Sequence, residues 1–290
     1  MAADSLTILK LGGSVITDKD TPETVDEAAL DRVVDAVAEG IGSASAATST
    51  SAAGAGSATG AESATEADST PGAGSDRATP EPAGLVVVHG GGSFGHVHAA
   101  DYGVSTTDGS HDPAAVTTIH GAMQRLNERV VERLQAAGVP AVPVHPLSAA
   151  SRQADGALSL PSTAVSGLLA EGFVPVLHGD VIAHAGEGVT VLSGDEVITS
   201  LADSLDASRV GLCSTVPGVL DANGRVIEEI RSFESVAAVL GDSESTDVSG
   251  GMAGKVRALL ALGAPAFVFG PESVGAFLAG TDPGTRIDGR

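Results

Sequence analysis

The chain contains only three lysines, Lys10, Lys19 and Lys255, and all three fall in or beside glycine-rich turns. Its other twelve cations are arginines. A compact ammonium suits a point contact with an anion, whereas a guanidinium prefers a planar partner. Five segments repeat the association of glycine with strand ends: Lys10-Leu-Gly-Gly-Ser14, Gly90-Gly-Gly-Ser-Phe-Gly-His96, His178-Gly-Asp180, Ser193-Gly-Asp195 and Ser249-Gly-Gly-Met-Ala-Gly-Lys255. Without a Cβ, glycine lets backbone N–H groups crowd around phosphate oxygens, and a following helix N-terminus adds partial positive charge. The chemistry indicated is phosphoryl transfer, which needs positioning and charge neutralisation more than a strong base. The last segment approaches the phosphate-loop pattern GxxxxGK[ST], but Ser249 stands at its first position and Val256 where a magnesium-binding hydroxyl would sit. Protein-kinase signatures are missing too, so another architecture must carry the chemistry.

That architecture is legible as alternating elements. Leu6–Leu11 alternates apolar and polar residues and runs into Gly12-Gly13, a strand ending in a tight turn. Thr24 to Glu27 fits a capping box, with Leu30, Val33, Val34, Val37 and Ile41 at helical spacing behind it. Leu85–Val88, Val139–Val144, Val174–Leu177, Thr190–Leu192, Val210–Cys213 and Ala266–Phe269 read as strands. Helices are expected from Pro113, capped by Asp112, to Gly138, after Asp195 through Leu205, over Met252–Leu262 and over Glu272–Leu278. Asn223-Gly224 marks a hairpin turn. The alternation implies an α/β fold, a mostly parallel sheet covered on both faces, with ligands at the rim where strands end. Between Gly42 and Gly84 there is no Val, Leu, Ile, Met or aromatic residue, so 42–84 reads as a disordered low-complexity insertion.

The whole chain, 290 residues with 42% hydrophobic content, is long enough for a real core. Its net charge of −22 argues against nucleic acid, whose binding needs a cationic surface. Acid-rich, lysine-poor surfaces are typical of proteins from salt-loving organisms. The single cysteine, Cys213, excludes an internal disulfide framework and a CxxC metal site. No segment approaches the ~18 apolar residues of a membrane span, and no signal core follows the N-terminus. A cytoplasmic protein is expected. His98, His111, His120, His145 and His184 have no ligand-like pairing and read as solvated or structural. No histidine metal site is expected.

With these motifs the chain resembles the amino acid kinase family, and within it the archaeal isopentenyl phosphate kinases, over nearly its whole length apart from 42–84. His89-Gly-Gly-Gly-Ser-Phe-Gly-His96 is the most specific element, because a terminal histidine accompanies phosphate or phosphonate acceptors rather than carboxylates. Lys19, His178-Gly-Asp180, Ser193-Gly-Asp-Glu196, Asp247-Val-Ser-Gly-Gly-Met252 and Gly284-Thr-Arg-Ile287 also match. Ser214-Thr-Val-Pro-Gly-Val219 departs from the family's Thr-Asp-Val-Asp-Gly-Val and lacks both acids.

The resemblance implies a three-layer α/β/α sandwich with an acceptor-binding lobe at 1–185 and a nucleotide-binding lobe at 186–290. It implies ATP with Mg2+ as cofactors, isopentenyl phosphate as the small-molecule partner, and a homodimer. Lys10, Lys19, His96, Asp195 and Lys255 would be catalytic, with Asp195 holding the lysines. Gly12, Gly13, Ser14, Gly91, Gly218 and Gly251 would bind the nucleotide. Gly90, Gly95 and Gly179 would cradle the acceptor, whose phosphate His96 would meet with a hydrogen bond. Other phosphate or phosphonate acceptors, such as a fosfomycin-type antibiotic, and a non-catalytic oxyanion-binding protein are the alternatives.

Overall fold

The computed structural model describes residues 6–52, 84–240 and 251–290. In chain order the elements are β1 (Thr7–Leu11), α1 (Gly13–Ile16), α2 (Glu27–Ala52), β2 (Leu85–His89), α3 (Gly92–Asp101), α4 (Pro113–Ala136), β3 (Ala141–Pro143), β4 (Ser151–Arg152), β5 (Leu158–Ser159) and α5 (Thr163–Ala170). There follow β6 (Val174–His178), β7 (Asp180–His184), β8 (Gly188–Leu192), α6 (Gly194–Ser204), β9 (Arg209–Cys213), β10 (Glu229–Ile230), α7 (Ala237–Leu240), α8 (Gly251–Leu260), β11 (Ala266–Phe269), α9 (Val274–Leu278) and β12 (Thr285–Ile287).

Eight strands form the main sheet in the order β10-β12-β11-β9-β1-β2-β6-β3. Every neighbouring pair is parallel except β11 and β12. Successive residues of a strand face opposite sides, and here both sides are apolar. Ile8, Val86, Val88, Val210 and Leu212 pack with α5, α6 and α8 on one face. Leu9, Leu11, Val87, Phe267 and Phe269 pack with α2, α4 and α9 on the other. The chain therefore folds as a three-layer α/β/α sandwich, as expected. No helix among the described residues is long and apolar enough to cross a membrane.

Three local expectations change. The cap of α2 is Asp26, whose Oδ1 accepts from the Ala29 N–H at 2.9 Å, and not Thr24. Thr24 is occupied elsewhere: its carbonyl accepts from the Asp18 N–H while Thr17 and Val25 form a bridge beside it. The helix also continues past Gly42 to Ala52, so the first part of the low-complexity stretch is helical rather than disordered. Alanine favours helix most of all residues, and extending an existing helix avoids the nucleation cost. Residues 53–83, the rest of that stretch, lie outside the described residues. Finally, the strand ending at Leu192 does not join the main sheet. Asp180–His184 and Gly188–Leu192 pair as an antiparallel hairpin within a second sheet, β5-β4-β7-β8, because Ala185–Glu187 is too short for a parallel crossover.

Phe277 of α9 anchors one face. Its ring presses on β9 where residue 211 is glycine; a Cβ there would lie 2.5 Å from the ring. The Arg209 guanidinium covers the ring at 4.4 Å from its centroid. Phe277→Ala should destabilise the fold by about 3–5 kcal/mol, read as a lower denaturant midpoint in equilibrium unfolding.

Candidate active site

The C-terminal ends of β1, β2, β6 and β9 open onto one cleft of about 670 Å³. Lys10 sits one residue before the end of β1, level with Val88 and Leu212 on the flanking strands. It is only 8% exposed, held at the strand end rather than on an open rim. Its Nζ donates to Asp195 Oδ1 at 2.5 Å, and Lys255 Nζ stands 3.7 Å from Oδ2. Burial pushes the Asp195 carboxyl up, but Lys10 and then Lys255 outweigh that and hold it below its ordinary value. Asp195 is thus a carboxylate at neutral pH, with one lysine on each oxygen.

The local sequence explains how Asp195 comes to be there. Ser193 and Glu196 form a reciprocal capping box that starts α6 at Gly194. Glu196 is tied in turn to the nearly buried Arg152 at 2.8 Å. Glycine at 194 leaves room for Lys10, since a Cβ there would lie a tight 3.2 Å from Lys10 Cε. The capping box was readable in the sequence, as Ser at N-cap and Glu three residues on, but was not picked out.

Besides α6, helices α3 and α8 begin at the cleft, with Gly91, Gly92 and Gly251 in its lining. The first N–H groups of a helix have no partner within it and carry its positive end; at α3 the N-cap Gly91 offers no side chain, and Thr17 Oγ1 accepts from the Ser93 N–H at 3.1 Å. Gly13 and Gly92 touch backbone to backbone, so a Cβ on Gly13 would strike the Gly92 amide. Part of the glycine content therefore serves to interlock the loop after β1 with the loop after β2.

Of the residues singled out in the sequence, Lys10, Lys19, His96, Asp195 and Lys255 all line this cleft. So do Gly12, Gly13, Ser14, Gly90, Gly91, Gly95, Gly179 and Gly251. Gly218 does not: it is buried, and a Cβ there would lie 2.7 Å from Thr285 Oγ1 and from a Val226 methyl. Its glycine is required by packing against Thr285, whose hydroxyl accepts from the Val219 N–H. Asp247–Gly250 lie outside the described residues. Lys19 is exposed, on a loop pinned by Glu23 to Arg125 of α4 at 2.7 Å and to His98 of α3 at 2.6 Å. Ser214, Thr215 and Val216, where the chain departs from the family pattern, face the cleft beside Lys255 and Met252. Away from them, Val97, Ala99, Ile119, Met123 and Val191 give the cleft an apolar wall near His96. Ala99 and Ile119 belong there to a small third core between α3, α4 and the hairpin.

The sequence reading missed a cluster of imidazoles beneath the cleft. His120 and His145 are half-buried and paired, which makes them structural rather than solvated. His120 Nδ1 is 2.9 Å from the buried Asp180 carboxylate, and His145 Nδ1 is 2.9 Å from His178 Nε2. His178 stacks on His89 at 5.5 Å between centroids. Burial, aided by neighbouring imidazoles, lowers the His89 pKa to about 3. Burial likewise lowers that of His178 to about 4, against the opposing pull of Asp180. The signal available in the sequence was the repeated His-Gly at the ends of β2 and β6.

The sequence profile of the amino acid kinase family matches residues 76–264. The chain belongs to the amino acid kinase family. It is 57% identical to the isopentenyl phosphate kinase of Haloferax volcanii, over 98% of this chain and 99% of that one. It is 32% identical to the isopentenyl phosphate kinase of Methanothermobacter thermautotrophicus, over 88% and 86% of the two chains. A solved isopentenyl phosphate kinase superposes with a TM-score of 0.72 at 26% identity, covering 97% of this chain and 99% of that one. The carbamate kinase of Giardia lamblia, 13% identical with a TM-score of 0.59, shares the fold.

Lys255→Met should lower turnover by roughly two orders of magnitude, the usual scale for one preorganised charge, with an unchanged melting temperature. Lys10→Met should lose as much turnover and also melt earlier, because buried Asp195 loses its closer partner. Turnover assays paired with thermal melts check both.

Proposed function

We propose that the chain transfers the γ-phosphoryl group of ATP to isopentenyl phosphate, giving ADP and isopentenyl diphosphate. One observation carries the reading: a single cleft is lined by an Asp195-held lysine pair, by glycine backbone with His96, and by the apolar side chains of Val97, Ala99, Ile119, Met123 and Val191. An anion at one end and a short hydrocarbon at the other is the shape of ligand such a lining accepts. The names of the 57% and 32% identical relatives support the same substrate.

In the reaction an oxygen of the acceptor phosphate attacks the γ-phosphorus, and the bond from that phosphorus to the bridging oxygen of ADP breaks. The nucleophile is already an anion, so no base has to remove a proton. Lys10 and Lys255 neutralise the charge passing through the transferred group, and Lys19 adds a third cation from its pinned loop. Asp195 keeps the first two ammonium groups apart and aimed at one point. His96 donates to the acceptor phosphate. Gly12, Gly13, Ser14, Gly91 and Gly251 offer backbone to the nucleotide phosphates, with Gly90, Gly95 and Gly179 under the acceptor. On this reading residues 1–185 bind the acceptor and 186–290 the nucleotide. Magnesium fits as an ion carried by the nucleotide's own phosphates, because both cleft carboxylates are engaged: Asp195 by lysines, Asp180 by His120 and the N–H groups of Leu147 and Val181. The enzyme is read as a cytoplasmic homodimer, for which light scattering should give twice the 28.4 kDa of one chain.

In a steady-state panel, isopentenyl phosphate should be the best acceptor; equal turnover of acetylglutamate, carbamate, UMP or a phosphonate antibiotic would overturn the assignment. Since a hydrogen bond to a charged group contributes about 1.5–3 kcal/mol, His96→Ala should cut kcat/KM for the acceptor roughly ten- to a hundredfold. His96→Asn should recover part of the loss, and the KM for ATP should stay put.

A further inference from the structure

We infer that His89 and His178 are twin positioning residues, each locking the glycine peptide that follows it so that the cleft floor turns no carbonyl toward an anion. The two histidines occupy matching places, paired in register at the ends of the adjacent parallel strands β2 and β6. Each ring reaches forward to the very next residue. His89 Nδ1 lies 3.1 Å from the Gly90 carbonyl oxygen, and His178 Nδ1 lies 2.8 Å from that of Gly179.

A carbonyl oxygen only accepts, so Nδ1 carries the proton in both rings. Both rings are fully buried and, with pKa values of about 3 and 4, neutral at neutral pH. Each Nε2 is therefore a bare acceptor, and each has a donor in place. Asn127 Nδ2 stands 3.1 Å from His89 Nε2, its other hydrogen directed to the Val176 carbonyl at 3.3 Å. His145 Nδ1 stands 2.9 Å from His178 Nε2. The result is two parallel relays with the same polarity: Asn127 to His89 to Gly90, and His145 to His178 to Gly179. In both, the outer donor selects the tautomer that the glycine needs.

Glycine makes such a device necessary. A peptide flanked by glycine rotates with little steric penalty, and one flip would present a partial negative charge where an anionic acceptor must sit. Gly90 and Gly179 are also held at their own N–H groups, by the Leu11 and His89 carbonyls. With the Gly90 carbonyl drawn down to His89, the planar trans peptide points the Gly91 N–H the opposite way, and Gly91 lines the cleft. Neither imidazole is among the residues lining the cleft, so their action passes through the peptide. The inference deepens the assignment of Gly90 and Gly179 to the acceptor and of Gly91 to the nucleotide, and rests on it.

The test exploits geometry, since an Asn amide nitrogen replaces Nδ1 and a Gln amide nitrogen replaces Nε2. His178→Asn and His89→Asn should keep the acceptor KM within a few fold, while His178→Gln and His89→Gln should raise it about tenfold, the size of one lost net hydrogen bond, with the KM for ATP unchanged in the His178 variants and raised in His89→Gln, whose peptide carries the Gly91 N–H. Equal effects of Asn and Gln would overturn the inference. Because buried substitutions can unfold a chain, nitrogen-15 spectra of the unmodified full-length protein provide a second arm. Both rings should appear as neutral Nδ1–H tautomers, and an Nε2–H tautomer at either position would overturn the inference. That arm uses no substrate, so a failure of isopentenyl phosphate as acceptor leaves it standing.

Discussion

Everything in the cleft is organised about one carboxylate. Asp195 keeps only 14% of its side chain exposed, and an isolated charge so shielded from water is unfavourable enough to favour protonation. Lys10 and Lys255 prevent that, and in doing so all three are fixed in place. The partners come from β1, from the first turn of α6 and from α8, elements far apart in the chain. Two ammonium groups left alone would repel each other and swing toward water. Bridged by a carboxylate that cannot move, they present a fixed positive site without having to reorganise when a phosphate arrives, which is where electrostatic catalysis gains most.

The same constraint explains the architecture around it. A parallel sheet brings all its strand ends to one edge, and right-handed crossovers send the following helices back from that edge with their N-termini toward it. Three helices of ten or eleven residues begin there. The loops after β1 and β2 come so close that Gly13 and Gly92 meet through backbone alone. A side chain on either would wedge the loops apart and carry Lys10 and the start of α3 away from a common centre. Glycine thus does two jobs in one motif, giving ligands access to N–H groups and letting loops interlock. The sequence by itself does not separate the two.

That ambiguity marks how far the sequence could be read. Lys10 and Lys255 were legible, since ammonium groups beside glycine turns have few other uses; Asp195 was reached through the family resemblance, and the main strands were legible from unbroken apolar runs. Gly218 was misplaced because a glycine demanded by packing against Thr285 looks the same as one demanded by a phosphate. The imidazole cluster was hidden for a different reason. His89, His120, His145 and His178 lie on β2, α4, a loop and β6, and only the register of two parallel strands and the packing of α4 unite them. Asp26 and Thr24 are both good caps two residues apart, and the choice between them was made by the bridge between Thr17 and Val25. Local chemistry pointed to the lysines and glycine turns of the cleft; tertiary contacts decided what holds them.

The charge of the whole molecule gives the cleft its remaining problem. A chain of net charge −22 repels an anionic nucleotide and an anionic acceptor alike before either reaches a lysine. Such long-range repulsion acts through solvent and is screened over about 8 Å at physiological ionic strength and about 3 Å at 1 M salt. Contacts inside a buried site are screened far less, so added salt weakens the repulsion more than the attraction. An acid-rich surface and a lysine-lined cleft are compatible where salt is high, and the close likeness to a Haloferax volcanii protein accords with that setting. It follows that lysine is scarce on the surface for one reason and retained in the cleft for another. Where water and salt shield every charge the surface can be uniformly acidic, and where they are excluded the sign of each group must be set residue by residue.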